Sequence, residues 1–152
     1  MSKENYSGAL PVLFLVVMID MIGFGIVIPF LTFFIDDLAS VEGVVEIGFW
    51  IALMMAGYSA AQFIFSPFWG ALSDRIGRRP VLMTGLVGNT VFFTIFGLSS
   101  SLWMAFIARF FAGAFNANIA VAKAFIGDIS DPSLMAKRMG LIGAAFGLGF
   151  TI

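Results

Sequence analysis

Hydrophobic residues run through this chain in long, nearly unbroken stretches, not in the one-sided periodicity of a soluble helix. Five stretches cover residues 10–34, 47–72, 81–98, 102–126 and 139–152, and the short segments between them hold most of the charge. Crossing the roughly 30 Å of bilayer hydrocarbon takes about 20 apolar residues in a helix, the one single-segment fold that satisfies its own backbone there. The pattern therefore predicts an all-α membrane protein with four complete spanning helices. The fifth is expected to be incomplete, since residues 139–152 cover only about 21 Å at 1.5 Å per residue. On this reading residues 1–152 are the N-terminal part of a single polytopic domain that continues beyond Ile152. A secretory signal fits poorly, because the first stretch is longer than an apolar signal core of about 7–15 residues and no small-residue cleavage site follows it.

The polar segments set the expected topology. Lys3 lies in the short leader 1–8, Arg75, Arg78 and Arg79 in the loop 70–79, and Lys137 and Arg138 in the loop 128–138. The acidic connection 36–46, with Asp36, Asp37, Glu42 and Glu46, holds no Lys or Arg, and Ser99, Ser100 and Ser101 hold no charge. Short loops rich in Lys and Arg stay cytoplasmic. The N-terminus, 70–79 and 128–138 are thus expected inside, and 36–46 and 99–101 outside, in a multi-pass protein of the cell (inner) membrane.

Composition agrees and narrows the chemistry. Of 152 residues, 61% are hydrophobic and 11% charged, against about 25% charged in soluble domains. The chain has no Cys and no His, so it offers no disulfide, thiolate metal site or redox pair, and proton handling falls to carboxylates. No phosphate-binding loop of the G-x-x-x-x-G-K-[ST] kind occurs, so the chain carries no P-loop ATPase of its own. No enzyme activity, cofactor, metal or nucleic-acid partner is expected. The partners expected are the lipid bilayer, a small-molecule substrate and protons.

Asp20 stands near the middle of the first stretch, followed by Gly23, Gly25 and Pro29. Pro29 cannot donate to the carbonyl of Gly25, which predicts a kink just past the carboxylate. An acid at that depth costs about 2.5–3.5 kcal/mol even on insertion scales and is a candidate proton site; a structural carboxylate tied to another helix is the alternative. In the fourth stretch Arg109, Gly113, Asn116, Ala120, Lys123 and Gly127 recur at steps of four and three, which predicts one polar face turned to the bundle interior or a watered cavity. Arg109 is deep, while Lys123 is near enough to the cytoplasmic end to snorkel. In the second stretch Ala52, Ala56 and Ala60 share a face, with Gly57 and Ala61 beside them, and predict close helix packing. Gln62 there is read as an interhelical hydrogen bond. Asp74 sits at the C-terminal end of its helix, where the macrodipole disfavours a carboxylate. It therefore calls for arginines or another helix's N-terminus. Gly77 is expected to supply a turn and Pro80 to open the next helix.

Gly70, Leu72, Ser73, Asp74, Arg75, Gly77, Arg78 and Arg79 fill every defined position of G-x-L-[SA]-D-[RK]-x-G-[RK]-[RK]. This loop resembles the one between helices two and three of the major facilitator superfamily. Residues 20–29 read D-x-x-G-x-G-[LI]-x-x-P and resemble the first helix of its drug/proton antiporter branch, tetracycline/proton antiporters in particular. Arg109 and Gly113 are similar to the R-x-x-x-G signature of the fourth helix, and Asp128 falls where that branch has an acid at the same helix's cytoplasmic end. Gly147, Leu148 and Gly149 resemble the approach to the G-P pair of the antiporter motif in helix five. Lys123 departs from the pattern, which has a small residue there, and Met135 stands where a basic residue is common.

The resemblance implies twelve helices in two six-helix halves, the second half absent from this chain, working by alternating access around a central cavity. It implies proton-coupled efflux of amphipathic, drug-like compounds. Asp20 would carry the proton, with Arg109 and Asn116 along the proton and substrate path. Gly70, Asp74, Arg75, Gly77, Arg78, Arg79 and Asp128 would latch the cytoplasmic side, and Gly25 and Pro29 would form the kink. Proton-coupled nutrient uptake uses the same fold and loop, and a non-transporting membrane scaffold shares the small-residue packing.

Overall fold

The structure, a computed structural model, describes residues 9–116 and 118–151; the leader 1–8 lies outside them, as does Ile152. The described residues form six helices: α1 (Ala9–Glu42), α2 (Ile47–Ile76), α3 (Arg78–Gly97), α4 (Leu102–Phe115), α5 (Asn118–Ile129) and α6 (Pro132–Thr151). Among the described residues, four segments are long and apolar enough to cross a membrane: Leu10–Glu42, Ile47–Ile76, Arg78–Gly97 and Leu102–Ile129.

The helices outrun the apolar stretches that announced them, and the fourth stretch breaks into two helices. α1 continues through Asp36 and Asp37 to Glu42, so the predicted acidic loop shrinks to residues 43–46, opening on Gly43 with φ 69°. α2 runs past residue 72 to Ile76, and α3 starts at Arg78, leaving Pro80 as its third residue and not its opener. α6 starts at Pro132, so Lys137 and Arg138 are helical and the predicted loop 128–138 reduces to residues 130–131. The physical reason is common to all three: apolar composition marks where a helix leaves hydrocarbon, whereas backbone hydrogen bonding continues into the aqueous layer. Pro132 suits a first helical position, where no N–H is needed.

The chain divides into two compact units, residues 1–28 with 118–152, and residues 29–117. In the second unit α4 packs between α2 and α3. Ala105, Ala108 and Ala112 are buried on it, and Phe92 of α3 stacks on Phe111 and Phe115 at 5.2 and 5.5 Å between ring centroids. The α3–α4 turn is as short as the serines suggested, and Ser101 accepts from the Met104 N–H to cap α4. Glu42, at the end of α1, accepts from the Leu102 N–H at 3.0 Å, placing a carboxylate on a positive helix end.

On α2 only part of the predicted small-residue face is packed: Ala61 is buried, and a Cβ on Gly57 would strike the Phe106 ring of α4. Ala52, Ala56 and Ala60 are exposed, whereas Met54, Tyr58, Ala61, Trp69 and Ser73 are buried. Tyr58 and Trp69 carry polar groups that lipid cannot satisfy, and turning them inward fixes the rotation of the helix.

In the first unit α5 pairs with α6. The start of α1 meets α6 at Gly149, where an added Cβ would strike the Met18 carbonyl and Met21, and at Phe24, 6.4 Å from Phe150 between centroids. Large apolar side chains face outward elsewhere, Phe33 at 75% and Phe63 at 83% exposure, as expected where lipid is the solvent.

Candidate functional site

Arg109 is 2% exposed. Its guanidinium lies over the Tyr58 ring with Cζ 4.3 Å from the centroid, and the Phe93 and Phe96 rings stand 5.4 and 5.9 Å away. Ring faces stabilise a desolvated cation by about 2 kcal/mol or more. Nε and Nη1 are buried with no hydrogen-bond partner among the described residues. The guanidinium is thus held in place by aromatic faces while two donor positions remain unused.

Asn116 joins the same cluster. Its Nδ2 donates to the Tyr58 hydroxyl, so one tyrosine touches both predicted site residues of the fourth stretch. The helix ends here: Asn116 has φ −86° and ψ 64° and caps α4. Two side chains of α2 take carbonyls that a continuing helix would have used. Gln62 Nε2 donates to the Asn116 carbonyl at 2.9 Å and Trp69 Nε1 to the Ala114 carbonyl at 2.6 Å. The predicted stripe from Arg109 to Gly127 is therefore not one continuous helical face. Arg109, Gly113 and Asn116 belong to α4 and its cap, and Ala120, Lys123 and Gly127 to α5. The interhelical role read for Gln62 holds.

Gly113 has a separate explanation. A Cβ there would run into the backbone carbonyl of Tyr58, so the four-residue spacing from Arg109 lets α4 approach the backbone carrying the ring on which Arg109 rests.

In the 70–79 loop, Asp74 and Arg78 form an ion pair at 2.6 Å. Arg78 also donates to the Ser73 hydroxyl, which in turn donates to the Gly70 carbonyl at 2.7 Å. The arginine so brings positive charge to the C-terminal turn of α2, compensating both the macrodipole and Asp74. Only Gly77 is non-helical between α2 and α3, with φ 98° and ψ 157°. Arg75 and Arg79 are exposed.

Asp20 is half-buried on α1, and α1 runs without interruption through Gly25 and Pro29. Asp128 is exposed on the last turn of α5. Arg138 Nη1 donates to the Ile129 carbonyl at 2.9 Å and to Ser130 Oγ at 3.3 Å, a cap on the negative end of α5. Asp20, Gly25 and Asp128 belong to the first unit, and the remaining predicted site residues to the second.

Sequence reasoning missed Tyr58 and the cap made by Arg138, and read Ser73 only as a motif position, not as the partner of Arg78. Tyr58 had a signal, being one of two tyrosines in the chain and lying inside an apolar stretch.

Several apolar helices, a buried cation on one of them and a charge-paired turn of one residue define a multi-pass membrane protein. Residues 13–152 match the Major Facilitator Superfamily, and the chain belongs to that superfamily, whose members are transporters and not enzymes. It is 37% identical over 147 residues to the tetracycline resistance protein, class C, of Escherichia coli, covering 97% of this chain and 36% of that protein. To the protein ZINC INDUCED FACILITATOR 1 of Arabidopsis thaliana it is 33% identical over 82% of this chain and 26% of that protein. The crystal structure of the human organic anion transporter MFSD10 (TETRAN) matches with a TM-score of 0.77 at 27% identity, covering 93% of this chain and 39% of that one. The chain thus spans about a third of the length of its relatives or less.

Proposed function

We propose that this chain forms part of a proton-coupled secondary exporter of amphipathic, drug-like compounds that works by alternating access. The observation that carries the reading is Arg109, a buried guanidinium on a membrane-spanning segment with two donor positions unused. Charge kept at membrane depth marks substrate or ion pathways, and the similarity to tetracycline resistance proteins favours export over uptake. In this mechanism Asp20 takes up and releases the proton, and Arg109, with Asn116, contacts substrate and biases the charge state of Asp20. The Asp74–Arg78 pair, together with Asp128, holds the cytoplasmic side closed, and Gly25 and Pro29 let α1 flex beyond the carboxylate. The N-terminus and the loop 70–79 are cytoplasmic.

The test is exchange of a substrate against an imposed pH gradient, with the intact protein in vesicles. Asp20→Asn is expected to abolish accumulation driven by the gradient while leaving substrate binding measurable. Gradient-driven exchange at the wild-type rate in that variant would remove Asp20 from the proton path.

A further inference from the structure

An open cavity of about 490 Å3 lies between α5 and α6, lined by Ile119, Lys123, Met139, Ile142, Gly143 and Phe146; Ile142 is buried at its floor, and Lys123, Gly143 and Phe146 are exposed. All six residues belong to the first unit. Ile119 and Lys123 are one turn apart on α5, and the four α6 residues fall at helical spacing on one face. The volume is in the range of sites that hold drug-sized molecules, about 300–1,000 Å3. Lys123 is the single charged group of the lining. No hydrogen bond or ion pair to it is recorded among the described residues. It stands before Ile129, the end of the spanning segment, by about 9 Å of helix axis at 1.5 Å per residue.

We propose that this cavity binds an amphipathic organic anion, with the Lys123 ammonium pairing with its carboxylate and Ile119, Ile142 and Phe146 covering its apolar body. The proposal rests on the transport reading above and narrows its substrate class. Charge complementarity selects the ligand: Lys123 is exposed at the rim of the apolar lining, so a neutral apolar molecule would gain nothing from the ammonium, and a cation would be repelled. A snorkelling lysine is the competing account of the same residue, and it makes a different prediction, because a lysine that only reaches for water has no preference among ligands. Gly143 supplies an independent handle. A Cβ built there meets nothing within 4 Å, so a larger side chain can enter the cavity without forcing the helices apart.

The experiment uses the intact protein in neutral phosphatidylcholine nanodiscs and reads fluorescence binding of 11-(dansylamino)undecanoic acid and of its methyl ester. Lys123→Ala is expected to weaken binding of the acid by about tenfold or more, the loss of one charge-assisted contact, with the ester unchanged. Lys123→Arg should retain most of the acid's affinity, and Gly143→Leu should weaken acid and ester together. Unchanged affinity for the acid in Lys123→Ala, or for both probes in a monodisperse Gly143→Leu protein, would overturn the proposal. So would displacement of the acid from the wild-type protein by phosphatidylglycerol added to the nanodiscs, since the cavity would then be a lipid headgroup site. The readout needs no gradient, so its failure is distinct from failure of the Asp20→Asn exchange test.

Discussion

A guanidinium resting on a tyrosine ring carries its charge differently from one paired with a carboxylate. Inserting a charge at membrane depth costs about 2.5–3.5 kcal/mol on insertion scales, and contact with ring faces returns about 2 kcal/mol or more of it. Arg109 has that contact while two of its donor positions go unused, so replacing it by an apolar side chain of similar volume gives up little net stability. Arg109→Met, which unlike Ala leaves no large cavity among the rings, is therefore expected to leave the thermal midpoint nearly unchanged, yet to lower transport by about tenfold to a hundredfold, the equivalent of one or two charge-assisted hydrogen bonds to a bound molecule. Ile107→Ala, on the exposed side of α4, is the comparison and should transport normally. A matched loss in both variants, measured as initial rates in the same vesicles, would reassign the face. Spacing alone made Arg109 and Asn116 legible as a pair. Their meeting point was not, because Tyr58 lies 51 residues before Arg109 (109 − 58) and contacts across that separation come from helix rotation, which the small residues indicated only in part: Gly57 and Ala61 pack, while Ala52, Ala56 and Ala60 are exposed. The hydroxyl of a lone tyrosine in an apolar stretch was the better guide, since it must find a partner.

At the scale of elements, two glycines decide how helices meet. Gly77 is the whole connection between α2 and α3, at φ 98° and ψ 157°, a region essentially reserved for glycine. Gly77→Ala is expected to cost about 1–3 kcal/mol, read as a lowered thermal midpoint, and to disturb the Asp74–Arg78 pair that spans the turn. Gly113→Ala forces a methyl group against the Tyr58 backbone, which cannot step aside as a side chain could; overpacking of this kind costs about 1–3 kcal/mol. Gly127→Ala, with nothing within 4 Å of the added Cβ, should be neutral in the same melting assay, and equal destabilisation by all three substitutions would show that backbone fit is not the cause. The existence and order of the spanning helices were readable from the apolar stretches. Their ends were not, since Asp36, Asp37, Asp74, Lys137 and Arg138 all sit on helices: charge ends the hydrocarbon-facing part of a helix without ending its backbone bonding. The end of α4 at Asn116 left no apolar signature at all, because its cause lies on α2, in the donors of Gln62 and Trp69.

For the molecule as a whole, the strongest constraint is the side of the membrane on which each turn lies. Arg75, Arg78 and Arg79 cluster at the α2–α3 junction, while the α1–α2 connection holds Glu46 and no basic residue. Basic residues are retained on the cytoplasmic side, and the ends of a single spanning helix must face opposite sides, so the two ends of α2 are expected to be on opposite surfaces. The chain has no native cysteine, and both ends offer open positions: Val45 is 90% exposed and Ile76 is 55% exposed. In intact cells, Val45→Cys should react with a membrane-impermeant maleimide. Ile76→Cys should react only after permeabilisation. Neither substitution touches a charge, a cap or a buried contact named above, so altered labelling reports location and not a rearranged loop. Reaction of both cysteines from outside would mean that α2 does not cross the membrane. The reverse pattern, Ile76 outside and Val45 inside, would invert the whole arrangement and put the Asp74–Arg78 pair on the wrong side to hold a cytoplasmic closure.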